Sequence, residues 1–209
     1  MRFNSVFAFA LFAGMTAAAI AQAVPVASDD RGPTVSSHYP IALSVNYTAM
    51  ISNAPPGTCG CFLLQGGSGE GVFHLWKNIA AVAKVSGNRV GLVPQSQQGL
   101  SLVTYTAGPR YSFRTTRRVT TYGQFLVGGV HGFDTYLPVN NSQSTGAGNS
   151  LALTPAGGIE LGINSWFSVK AAEGEYLITH LPNSINSYQR NLRVSAGVIF
   201  RFSSSRLNR

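Results

Sequence analysis

Cysteine and histidine, the residue types most able to do chemistry, are few in this sequence and widely spaced. Cys59 and Cys61 are separated by one residue, which does not fit the C-x₂-C spacing of a zinc site, and no second cysteine pair exists. In an exported chain they either form a strained, loop-rigidifying disulfide or remain two free thiols. The histidines are His38, His74, His131 and His180, and no metal-binding or catalytic motif joins them. We therefore expect no metal and no cofactor.

Catalysis and phosphate binding also lack a motif. A histidine can act as a general base, and His131 or His180 would be the candidate, but no serine is tied to either by spacing. We interpret both as surface side chains that contact polar headgroups or water, and not as catalytic groups. The glycine-rich stretches at 66–69 and 128–129 are not followed by G-K-[ST], so they do not predict phosphate loops.

The N-terminus has the features of a secretory signal peptide over residues 1–23. Arg2 supplies the positive charge, residues 6–21 are apolar, and Ala21-Gln22-Ala23 is a cleavage signal, with Ala19-Ile20-Ala21 as the alternative. An uncleaved anchor helix is disfavoured because the run is short and no basic cluster follows it. Since no later run of 18 apolar residues follows, the exported chain is either a soluble secreted domain or an outer-membrane barrel.

The composition favours a β protein with two unlike faces. Charged residues make up 11% of the 209-residue chain, against about 25% in typical soluble proteins, which argues against a disordered chain, a coiled coil or a solvated helical bundle. A mean hydropathy of +0.11 is too low for a helical membrane protein. The 23 glycines and 22 aromatic residues add to the β character.

Period-2 alternation recurs in eight segments, which predict eight strands. They are 40–52, 62–75, 79–90, 100–113, 119–134, 151–164, 167–181 and 191–202. Short links alternate with long polar links, as in outer-membrane barrels, and ten or eleven tilted residues rise roughly 27 Å, which matches the membrane's apolar band. The long links are 53–61, 91–99, 135–150 and 182–190, of which 135–150 is rich in Ser, Thr, Asn and Gly and is expected to be a mobile surface loop.

The apolar parity of these strands is expected to face lipid and the polar parity to face the lumen. A soluble barrel of the lipocalin type would need the opposite arrangement, with a charged exterior that this chain does not supply. Because buried charges must be paired, we predict a lumenal charge network. Its members are Glu70, Lys84, Arg110, Glu160, Glu173, Glu175, Arg193 and Arg201.

Two features near the ends of strands complete the prediction. Lys170 has the opposite parity to Glu173 and Glu175, so either a β-bulge near Ala171-Ala172 turns both glutamates inward, or Lys170 snorkels at the rim. Aromatic residues gather at the short-turn rim and predict an interfacial girdle. They are Phe73, Trp76, Tyr111, Phe113, Trp166, Phe167, Phe200 and Phe202.

With its closing strand Arg193-Val-Ser-Ala-Gly-Val-Ile-Phe-Arg-Phe202, the chain resembles the OmpA-like small outer-membrane β-barrel family, a porin-like group of eight-stranded barrels. The resemblance implies an all-β, antiparallel, up-and-down transmembrane barrel over 39–202, preceded by a leader at 24–38 and followed by a short tail at 203–209. It further implies that Phe202 is the aromatic residue read by the barrel-assembly machinery. The tail after Phe202 departs from the family pattern and puts the mode of assembly in question.

These features predict an outer-membrane protein with a structural or surface-interaction role and no catalysis. A narrow porin for small solutes is the alternative, and a lipid A-modifying enzyme is a weaker one. We expect contacts with outer-membrane lipids and lipopolysaccharide, a monomer, and no nucleic acid. The basic cluster Arg114, Arg117 and Arg118 lies on a predicted short turn, where anionic phospholipid headgroups explain it more simply.

Overall fold

The described residues form a closed barrel of eight antiparallel strands. The computed structural model describes residues 40–53, 61–91, 99–139, 143–181 and 189–202. The strands are β1 (Ile41–Asn53), β2 (Cys61–Trp76), β3 (Ile79–Val90), β4 (Leu100–Arg114), β5 (Val119–Val139), β6 (Gln143–Gly162), β7 (Phe167–Thr179) and β8 (Gln189–Phe202). Each strand pairs with its sequence neighbours, and β8 closes on β1. This confirms the predicted up-and-down barrel.

Some predictions lie outside the described residues. These are the signal peptide at 1–23, the leader at 24–38, the tail at 203–209 and part of each of the four long links, at 54–60, 92–98, 140–142 and 182–188. Cys59 is also outside, and the two alternatives for Cys59 and Cys61, a disulfide or two free thiols, therefore both stay predictions. No helix in the described ranges is long and apolar enough to cross a membrane.

The two faces of the wall have opposite chemistry, as the alternation predicts. In β1, Val45 and Tyr47 are 66% and 57% exposed, whereas Ser44 and Asn46 are each 3% exposed. Over the described strands, the charged side chains that face outward lie at strand ends, next to a turn or a long link. A water-soluble barrel does not expose so large an apolar surface. The lipocalin-type alternative, with the apolar parity inside, is therefore wrong.

The short turns gather at one end of the barrel, which we call the short-turn end. Residues 77–78, 115–118 and 163–166 connect the strands there. The predicted aromatic girdle surrounds this end on the outside. Seven of its eight members are exposed and Phe167 is half-buried, with Trp166 and Phe200 stacked at 6.3 Å between ring centroids. The opposite end, where the long links emerge, is the long-loop end.

The predicted loop at 135–150 is largely strand. β5 runs to Val139 and β6 begins at Gln143, with Pro138 opposite Ser144 in the ladder. The prediction ended the strands where the apolar alternation ended, but an antiparallel ladder is held by backbone hydrogen bonds and needs no apolar face. The β5–β6 hairpin therefore extends further than its side-chain pattern indicated.

The predicted β-bulge in β7 is confirmed. Ile159 pairs with Ala172 and Glu160 pairs with Lys170, so Ala171 is the extra residue. Because of this extra residue, Lys170 and Glu173 both point into the barrel, at 0% and 1% exposure. The alternative, a snorkelling Lys170 at the rim, is wrong.

Glycines on the inner face allow neighbouring strands to approach closely. A Cβ built on Gly128 of β5 would lie 1.9 Å from the carbonyl oxygen of Tyr105 in β4, and one on Gly66 would lie 1.8 Å from that of Gly87. Outward-facing Gly123, on the same strand as Gly128, has no heavy atom within 4 Å of its ideal Cβ. At Gly66 and Gly128 the backbone of the neighbouring strand therefore leaves no room for a side chain.

Candidate functional site

The lumen contains a continuous chain of nine charges that alternate in sign. In order of contact, this charge chain is Arg193, Glu175, Lys84, Glu173, Lys170, Glu70, Arg110, Glu160 and Arg201. It includes every glutamate of the sequence. The residues come from six strands, so the chain ties opposite walls of the barrel together. Five cations against four carboxylates leave one positive charge in excess.

Glu173 is the centre of the charge chain. It pairs with Lys84 and with Lys170, the latter at 2.9 Å, and it accepts a hydrogen bond from the Tyr122 hydroxyl. Gln124 Nε2 lies 3.5 Å from the same carboxylate. Four groups from three strands therefore converge on a carboxylate that is 1% exposed. A buried carboxylate with this many donors is satisfied without water.

Arg110 organises the part of the charge chain toward the short-turn end. Its guanidinium donates to Glu70 at 2.6 Å, to Glu160 at 3.2 Å and to the Gln124 side-chain oxygen at 2.6 Å. It also lies 4.0 Å from the Tyr122 ring centroid. A guanidinium suits this position because it presents several donors in one plane and stacks on an aromatic face.

Arg193 ends the charge chain toward the long-loop end. It pairs with Glu175 and donates to the Ser86 hydroxyl and, at 3.2 Å, to the Thr104 hydroxyl. Neighbouring Asn88 donates to Thr48 at 2.7 Å. These hydroxyl and amide contacts extend the polar network to β1, which contributes no member of the charge chain.

An apolar layer, which we call the seal, occupies the lumen on the long-loop side of the charge chain. Its eight side chains are all at most 9% exposed and form one cluster. They are Met50, Leu64, Leu100, Leu102, Val130, Ala152, Leu177 and Leu181. With Arg193, Lys84 and Lys170 each no more than 2% exposed, the seal and the charge chain fill two successive layers of the lumen, starting from the long-loop end. A second buried apolar cluster lies toward the short-turn end and consists of Ala42, Val72, Ala80, Val82, Leu126 and Ile199.

The structure brings all eight charges of the predicted network into one cluster inside the barrel. Sequence reasoning missed Tyr122 and Gln124 as members, although their spacing on β5 carried the signal, and it left the position of Lys170 open. It also missed the seal, because Met50 and Leu64 share their parity with polar residues. The alternation showed which face they are on but not that apolar residues of several strands meet at one depth.

The three histidines that the structure describes are not members of the charge chain. His131 lies 2.6 Å from the Asn149 side-chain oxygen and stacks near Phe133, at 5.8 Å between ring centroids. The backbone N–H of His180 donates to the Ser150 hydroxyl at 2.7 Å. His74 is half-buried near the short-turn end, and His38 lies outside the described residues. Because the glutamates are in the lumen, none is at the rim beside His131 or His180.

Solved structures that are similar to this chain in fold include small barrels of bacterial outer membranes. Neisserial surface protein A matches with a TM-score of 0.59 at 13% identity, over 78% of this chain and 97% of that one. The chain has the fold of the small eight-stranded outer-membrane β-barrels. OprG of Pseudomonas aeruginosa (TM-score 0.56, 11% identity, 82% and 100% covered) and Ail of Yersinia pestis (0.53, 17%, 79% and 99%) share it. No protein-family model matches the sequence, and no curated protein does.

Proposed function

We propose that this barrel lies in the outer membrane as a sealed, non-conducting and non-catalytic protein with a structural or surface-interaction role. The observation that carries the proposal is the double filling of the lumen by the seal and the charge chain. Permeating ions would have to cross an apolar layer and then displace side chains that already satisfy one another. A lumen filled by side chains is what an eight-stranded barrel has room for.

Planar-bilayer recording tests the sealed lumen against the narrow porin. The purified barrel is reconstituted in 1 M KCl beside a general porin as positive control. We expect no steady conductance steps at any voltage that the bilayer tolerates. Reproducible steps that scale with the amount of barrel, and that disappear when the preparation is heat-denatured first, would show that the lumen conducts and would replace this proposal with the porin.

Location is tested by fractionation of cells that express the full chain. The outward apolar wall supports a place in the membrane, because such a surface is stable only against hydrocarbon. The protein is expected in the outer-membrane fraction, with a gel mobility that changes on boiling. Recovery in the soluble fraction without a mobility change would contradict the membrane role.

The long-loop end supports contact with lipopolysaccharide. Arg89 and Arg190 lie exposed at the long-loop ends of β3 and β8, where the phosphates of lipopolysaccharide lie in an outer leaflet. Among the neighbours, Ail is named for attachment and invasion, and one structure of it holds the heparin analogue sucrose octasulfate. For this chain, neutralising both arginines to glutamine is expected to reduce co-purified lipopolysaccharide, whereas Arg117→Gln at the other end leaves it unchanged. Equal retention in all three proteins would refute the contact.

Lipid A mass spectrometry tests the absence of catalysis. Cells with and without the protein are expected to give the same lipid A species, because no catalytic motif joins His131 or His180 to a serine and a carboxylate. A new lipid A species that depends on His131 or His180 would establish an enzyme.

A further inference from the structure

We infer that the short-turn end of the lumen is a binding site for a small free dianion of the hydrogen phosphate type. A cavity of about 260 Å³ lies there, below the 300–1,000 Å³ typical of sites for drug-sized ligands. Buried Glu70 and Arg110 lie at its inner part and exposed Lys77, Asn78 and Arg114 at its outer part, so it opens at the short-turn end. This site goes beyond the sealed, structural role proposed above.

The charge of the lining favours an anion. Four cations, Lys77, Arg110, Arg114 and Arg201, face two carboxylates, Glu70 and Glu160. The two carboxylates are already engaged by Arg110, at 2.6 and 3.2 Å, and Glu160 also by Arg201 at 3.3 Å. Cations therefore outnumber carboxylates in the lining of a confined space, which favours an anion. Arg114 also donates to the carbonyls of Thr116 and Arg117 in the adjoining turn, at 3.3 and 2.9 Å.

Two polar atoms of the lining have no hydrogen-bond partner within the described part of the chain. They are Glu70 Oε2, which lies 3.9 Å from Lys84 Nζ, and His74 Nδ1. Buried polar atoms are seldom left unpaired. The cations of the lining need an acceptor, and the unpaired Glu70 oxygen needs a donor. An anion that carries its own hydroxyl supplies both, because its oxygens accept from the cations and its O–H donates to the unpaired oxygen. This distinguishes hydrogen phosphate from a carboxylate anion.

Lys77 supplies an independent observation. It is the one non-glycine residue in the described ranges with a positive φ, 40°, in the two-residue turn between β2 and β3. Asparagine and glycine adopt this conformation at lower cost than lysine does. Strained backbone at a site is a reason to look for a function of the side chain. Lys77 is one of the residues at the cavity mouth, and its ammonium lies 5.6 Å from the centroid of the Trp76 ring.

The test is an NMR titration of the folded barrel in phosphatidylcholine nanodiscs with inorganic phosphate, with KCl at matched ionic strength as reference. We expect saturable shifts at the backbone amides of Ser112 and Thr120, which line the cavity. Arg201→Gln is expected to weaken binding about tenfold, as the loss of a charge-assisted hydrogen bond would. Arg201 also pairs with Glu160 in the charge chain, so its substitution changes the stability of the barrel as well as the site. A second variant outside the charge chain is therefore needed.

Lys77→Asn is that second variant, because asparagine accepts the turn conformation while removing the charge. We expect unchanged or higher stability together with phosphate binding weakened about threefold, a size typical of an exposed charge contact. Arg117→Gln removes an exposed turn arginine that does not line the cavity and should leave binding unchanged.

Three results would overturn the site. The first is a phosphate response that does not saturate, and the second is an equal loss of binding in Arg117→Gln, which would indicate diffuse screening. The third is an amide response that appears only when the nanodisc contains phosphatidylglycerol, which would identify a lipid headgroup instead of a free anion.

Discussion

Replacing Glu173 by glutamine should cost the barrel more stability than removing its partner Lys84. Glu173→Gln raises the excess positive charge of the charge chain from one to two, because Lys84 keeps only Glu175, at 2.7 Å, and Lys170 keeps only Glu70, at 3.0 Å, as close carboxylate partners. An uncompensated buried charge typically costs about 3–5 kcal/mol, and we expect a loss of that size. In Lys84→Met, by contrast, Glu173 keeps Lys170 at 2.9 Å and Glu175 keeps Arg193.

The charge count explains why Lys84→Met should be milder. Without Lys84 the charge chain divides into two fragments, Arg193 with Glu175 and the six residues from Glu173 to Arg201, and each fragment is neutral. The expected loss is then that of hydrogen bonds to charged groups, about 1.5–3 kcal/mol.

Urea unfolding in phosphatidylcholine vesicles, followed by the mobility difference between folded and unfolded barrel on gels, gives both free energies. Arg117→Gln is the control for loss of an exposed charge and should leave the unfolding midpoint unchanged. Equal losses in Glu173→Gln and Lys84→Met, or a larger loss in Lys84→Met, would refute the reasoning from charge balance.

Three further predictions follow from the geometry. Gly128→Ala should reduce the unfolding free energy by about 1–3 kcal/mol through overpacking, whereas Gly123→Ala on the same strand should leave it unchanged in the same urea assay. Equal stability of the two variants would contradict the close approach of β4 to Gly128. Cysteines introduced at Val194 and Val198 should react with a lipid-phase label and one at Ser195 should not, as mass spectrometry can show. The reverse pattern would mean that the apolar face of the strands points into the barrel. Phe202→Ala should slow insertion by the assembly machinery, with Phe113→Ala on the same rim as control, and equal rates of gel-shift appearance would remove the assembly role of Phe202.

Much of the fold was predictable because a strand has only two faces. In β8, Leu192, Val194 and Ala196 alternate with Arg193 and Ser195, and this pattern alone assigns lipid and lumen. The same logic located the bulge, because Lys170 and Glu173 cannot share a face without an extra residue.

The sequence alone could not predict which charged residues pair with one another inside the lumen, and the reason is physical. Lys84 and Glu173 are 89 residues apart, and they meet because closure of the barrel brings β3 and β7 face to face across the lumen. Alternation gives the face of a residue but neither its depth nor its partner across the barrel. The seal and the role of Tyr122 were missed for the same reason, and the length of the β5–β6 hairpin was missed because its ladder has no apolar pattern.

Both tryptophans of the sequence, Trp76 and Trp166, stand on the outer surface at the short-turn end, 68% and 54% exposed. The tryptophan fluorescence of the protein therefore reports the surroundings of the short-turn end of the barrel. In vesicles whose brominated lipids are confined to one leaflet, the extent of tryptophan quenching would show whether the short-turn end or the long-loop end had crossed the bilayer. Tryptophan fluorescence therefore reports the direction in which the barrel inserts, and no added dye is needed.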